Sequence, residues 1–95
     1  MKIRVVKRTD RELEVEIEGE GHTFLNLLVD ELNRMESVDF AAYAIDHPDF
    51  PVARLRVASR DAAPEDVIGE ACKQISARAK LLQGKFREVI REVQP

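Results

Sequence analysis

The chain contains no tryptophan, a single cysteine, a single tyrosine and no long apolar run. Each scarcity removes a class of protein. Cys72 alone cannot close an intrachain disulfide or build a cysteine-only metal site. It suits a reducing compartment, so the expected location is cytoplasmic. No stretch reaches the roughly 18 apolar residues of a membrane-spanning helix, and no membrane partner is expected. The opening MKIRVVKRTD is too short and too polar to read as a signal peptide. A basic excess is also missing, because the formal net charge is -3. Dedicated nucleic-acid binders carry a basic balance, so direct nucleic-acid binding is not expected. Glycine is scarce too, and Gly19 and Gly21 lack the further glycine and lysine of a phosphate-binding loop.

What remains is a chain of 95 residues, enough for one compact domain over residues 1–95. Hydrophobic residues make up 44%, which supports a folded core. Asn and Gln are sparse while Glu and Arg are abundant, a tilt towards a heat-adapted source.

The pattern along the chain alternates two strands with one helix, twice. Lys2 to Lys7 reads as a short strand, and Thr9-Asp10-Arg11 as a turn. From Glu12 to Glu18, Leu13, Val15 and Ile17 alternate with glutamates, the signature of a strand with one wet face. Gly19-Glu20-Gly21 ends it. Thr23 is the expected N-cap of a helix running to about Met35. Val38 to Ile45 is extended again. Two prolines stiffen the loop from Asp46 to Pro51. Val52 to Ser59 sets Ala53, Leu55 and Val57 against Arg54 and Arg56. Pro64, followed by Glu65 and Asp66, suits the start of a last helix. The order β-β-α-β-β-α indicates an α+β fold: one four-stranded, mainly antiparallel sheet with helices on one face.

Both helices carry more apolar surface than one small sheet covers. In the first, Phe24, Leu25, Leu27, Leu28, Val29 and Leu32 span an arc of roughly 200°. A surface helix needs a stripe only slightly wider than about 100°. In the second, Ile68, Cys72, Ile75, Ala79, Leu82, Phe86, Val89 and Val93 recur with a period of about 3.5, a coiled-coil-like seam. A straight helix from Pro64 to Val93 is about 45 Å long. The domain itself has an expected diameter of roughly 30 Å. The far end, Leu82 to Val93, therefore overhangs, and Gly84 is the point where it would break. Both surpluses call for a second chain.

Three stretches carry a family resemblance. Gly21-His22-Thr23-Phe24-Leu25-Asn26-Leu27-Leu28 resembles the His-Thr-Leu-Gly-Asn-Leu-Leu signature of the small α-like subunits of RNA polymerases. That family includes archaeal subunit L and the eleventh subunit of eukaryotic polymerase II, and is related to the dimerising part of bacterial α. Phe40-Ala41-Ala42-Tyr43 with His47-Pro48 resembles a second family segment, and the long charged C-terminal helix a third. The departure is Phe24-Leu25 in place of Leu-Gly. The signature falls on His22, Thr23, Asn26, Leu27 and Leu28.

The resemblance implies a non-catalytic scaffold with no cofactor. Such a protein pairs with the larger α-like subunit of the RNA polymerase, and the pair is the assembly platform for the large catalytic subunits. It implies dimer contacts on the two helices, which here offer Phe24, Leu25, Leu28, Leu32, Ile75, Ala79, Leu82, Phe86, Val89 and Val93. A homodimer of the isolated chain through the same helices is compatible with it.

Other chemistries fit less well. His22, His47 and Cys72 are not at metal-ligand spacing, and zinc needs three or four ligands. His22 reads as a helix-start residue and Cys72 as a small buried apolar one. The row Glu12, Glu14, Glu16, Glu18 and Glu20 reads as a solvated sheet face offset by Arg54 and Arg56, not as a catalytic carboxylate pair. A stand-alone α+β module for a small ligand or RNA is the alternative, and it predicts a stable monomer.

Overall fold

The computed structural model describes residues 1–45, 49 and 52–93. His47 and most of the proline-bearing loop lie outside that set. The elements follow the expected order: β1 (Lys2–Arg8), β2 (Glu12–Glu18), α1 (His22–Arg34), β3 (Val38–Ile45), β4 (Val52–Ser59) and α2 (Pro64–Val93). The strands form one sheet in the order β1-β2-β4-β3, with every neighbouring pair antiparallel.

Register decides which residues share a face. Val15 lies opposite Leu55, Ile17 opposite Ala53 and Leu13 opposite Val57. Successive side chains point to opposite faces, so these form the inner face, under both helices. β3 departs from simple alternation. A register shift between Val38 and Phe40 lets both Val38 and Ala41 turn inward while Phe40 turns out. An extra residue in one strand reverses the parity beyond it, and alternation read from sequence cannot anticipate that.

The core joins Val15 and Ile17 of β2 and Ala53, Leu55 and Val57 of β4 to Leu25, Leu28 and Leu32 of α1 and Val67 and Ala71 of α2. The start of α2 is fixed by Ser59. Its hydroxyl donates to the carbonyls of Arg11 and Ala62, and Pro64 is buried as the first residue of the helix.

Both sheet edges are altered. β1 is exposed throughout, is bulged between Val5 and Lys7, and carries Lys2, Arg4, Lys7 and Arg8. On β3, the Asn33 side chain clasps one residue twice: the Ala41 N–H donates to Oδ1 and Nδ2 donates to the Ala41 carbonyl, both at 3.0 Å. The amide thus stands where a neighbouring strand would pair.

α2 is one continuous helix of 30 residues that passes through Gly84. It stretches the molecule to 56 × 36 × 17 Å, with a radius of gyration of 16.4 Å. A compact chain of this length has about 12 Å, so the excess is the overhang.

Candidate protein-partner surface

α1 begins earlier than the threonine suggests. Gly21 is the N-cap and no side chain caps the helix. The Gly21 carbonyl accepts from the Leu25 N–H at 3.3 Å, closing the first turn ahead of Thr23. His22 is therefore the first helical residue. Its Nδ1 lies 2.8 Å from the Tyr43 hydroxyl, and the two rings are 5.5 Å apart. That hydrogen bond ties the helix start to β3.

The surplus on α1 divides between two destinations. Leu25, Leu28 and Leu32 follow steps of three and four and face the sheet. Leu25 and Leu32 are fully buried and Leu28 nearly so. These three were expected at the partner interface, and the structure places them in the chain's own core. A side chain already enclosed has no surface left for a partner. The outer side of α1 carries Phe24 and Leu27, 40% and 44% exposed. Thr23 and Asn26 are exposed as well. Phe24-Leu25, where the resemblance departs from its family, thus splits into one exposed aromatic and one core leucine.

α2 also divides, but along its length. Pro64, Val67 and Ala71 face the core, and Ile68 and Ile75 pack against it half-buried. Cys72, expected as a buried seam residue, is exposed. It follows Ala71 directly, and one residue turns a helix by about 100°. Beyond Ile75 the seam leaves the domain. Ala79, Leu82, Phe86, Val89 and Val93 are all exposed, Phe86 at 59% and Val93 at 75%.

Two further apolar residues, Leu81 and Ile90, are exposed on the same overhang. Ile90 sits four residues after Phe86, a spacing visible in the sequence but lost when the seam is drawn as one narrow line. Leu27 was legible only as a signature residue. The structure brings it to a groove between the helices, with Ile75, Ala79 and Leu82. Asp30, Arg34 and Arg78 form the polar rim of that groove.

Charge is organised on the other face of the sheet. Arg4 pairs with Glu16 at 2.7 Å, Lys7 with Glu12 at 2.9 Å, and Arg56 with Glu14 at 3.7 Å. Arg56 also lies over the exposed Phe40 ring, 5.8 Å from its centre. The glutamate row is thus a solvated ladder of ion pairs, each worth little to stability. Hydrogen bonding from Lys7 holds the Glu12 carboxyl below its usual range. Arg8 does the same for Glu65 at the first turn of α2, and its own guanidinium is raised in return. Among the described residues no group of three or more His, Cys, Asp or Glu is placed to hold a metal ion. None of the described helices is long and apolar enough to cross a membrane.

Comparison with known proteins gives a consistent result. The sequence model of the RNA polymerase Rpb3/Rpb11 dimerisation domain matches residues 12–85. The chain is similar to the DNA-directed RNA polymerase subunit Rpo11 of Thermococcus onnurineus, with 39% identity over 95 residues, covering 97% of this chain and all of that one. Against the same subunit of Pyrococcus furiosus, identity is 43% over 83 residues, covering 84% of this chain and 87% of that one. The crystal structure of DNA-directed RNA polymerase subunit L from Thermoplasma acidophilum superposes with a TM-score of 0.85 at 25% identity. It covers 96% of this chain and 90% of that one.

Proposed function

From a chain that belongs to the RNA polymerase Rpb3/Rpb11 dimerisation-domain family, as a non-catalytic subunit of DNA-directed RNA polymerase, we infer a role exercised entirely through pairing. The partner is the larger α-like subunit of the polymerase, and the pair forms the platform on which the large catalytic subunits assemble. The active site belongs to those other subunits, and the work is done in the cytoplasm.

One observation supports this most. Phe24 and Leu27 on α1, and Leu82, Phe86, Val89, Ile90 and Val93 on α2, are large apolar side chains left in water by their own domain. Monomeric proteins rarely keep so much contiguous apolar surface. Aromatic residues in the central part of an interface commonly carry most of its energy. Phe86 is the residue of that kind on the overhang. The stand-alone ligand or RNA module, which predicts a stable monomer, is not favoured by the family to which the chain belongs.

Co-expression with the larger α-like subunit followed by size-exclusion chromatography tests the reading. The expected result is one 1:1 complex. Phe86→Asp would bury an unpaired charge in that contact, and the complex should be lost while the free chain stays folded. Unchanged co-purification of that variant would sink the proposal. The isolated wild-type chain is expected to self-associate weakly through the same helices, which light scattering at rising concentration would reveal.

A further inference from the structure

Among the described residues, Glu31 is the charged side chain that the core encloses, at 4% exposure. Taking a carboxylate out of water is costly unless it is paired and hydrogen-bonded. Here Arg78 of α2 donates through Nη2 to Glu31 Oε1, while its own side chain remains half-exposed. The place of this pair along α2 is informative. Every buried or half-buried residue of the helix precedes Arg78, and every residue from 79 to 93 is exposed. The pair therefore stands where α2 leaves the domain.

Apolar contacts across a helix pair are non-directional and tolerate sliding and rolling. A hydrogen-bonded ion pair is directional. Buried pairs add little net stability, and fixing register is their best-attested use. We propose that Glu31 is a positioning residue: by holding Arg78 it fixes the direction in which the α2 overhang leaves the domain, and so presents its apolar face to the partner. The first half stands on the free chain alone. The second half rests on the heterodimer reading above.

The test replaces the pair by its apolar counterpart, Glu31→Met with Arg78→Met. Such a replacement keeps the volume and removes the buried charge, so stability should hold or rise. On a Cys72→Ser background, spin labels at Glu36→Cys and Gln83→Cys report the distance from the domain to the overhang by pulsed electron resonance. The parent pair should give one narrow distribution. The Met pair should give a broadened or displaced one, with an undiminished melting temperature. Glu31→Gln, which keeps shape and a hydrogen bond but not charge, guards against a packing defect and should broaden it too. An unchanged distribution in both variants overturns the proposal.

Affinity for the larger α-like subunit is the second readout, expected to weaken about tenfold in the Met pair. Equal affinity overturns the presentation half. A parent chain that never binds that partner refutes the heterodimer reading instead, and the distance measurement still decides the positioning.

Discussion

Leu27 and Leu28 are chain neighbours with opposite environments, and substitution separates them. Leu28→Asp puts a charge into the core, and the chain should lose several kcal/mol of stability. A thermal melt would show it. Leu27→Asp should leave the melt within about 0.5 kcal/mol of wild type, as exposed positions usually do, yet weaken the complex with the larger α-like subunit in a pull-down. Sequence could not divide this pair. Six apolar residues on one helix state that two surfaces exist, not which residue takes which. That depends on the angle at which α1 lies on the sheet, fixed by long-range ties such as His22 to Tyr43. The Glu31–Arg78 pair was equally hidden, because its members are 47 positions apart.

Strands and helices were far more legible, since their periods of about 2 and 3.6 are written directly into the apolar pattern. β2, β4 and α2 matched the pattern closely because alternation and propensity agree there. β3 did not, because one bulged residue reverses its faces. The Asn33 clasp is an element-scale device with a direct signature. Asn33→Ala removes two hydrogen bonds worth about 1 kcal/mol each. The Ala41 amide should then exchange with solvent faster while core amides of β4 hold their rates. The ion pairs joining strands to each other and to α2 give a pH signature. Glu12 and Glu65 have carboxyls depressed in the folded chain. Their contribution is present above the unfolded carboxylate value and is lost as pH falls through the folded one. Acidification through the carboxylate range should therefore loosen the β1–α2 contact, and Glu65→Gln should blunt that loss. Denaturant melts at neutral and acidic pH, at low salt, would measure it.

At the scale of the molecule, folding and binding are assigned to different halves of α2. Residues up to Ile75 complete the core, and residues beyond Arg78 contribute surface alone. A chain ending after Ala79 should melt near the wild-type temperature, scatter X-rays with a radius of gyration near 12 Å, and no longer bind the larger α-like subunit. An unstable truncation would show that the overhang also supports the fold. The edges of the sheet add a different consequence, one for the time before assembly. A newly made chain must wait in the cell with a row of apolar side chains in water. Open strand edges on such an orphan would template stacking into fibres. This chain bars that route at both ends, with an amide clasp on β3 and a bulged, cationic β1. Premature contacts are thereby confined to helix against helix, which come apart again when the proper partner competes, so surplus chain is held as a recoverable reserve.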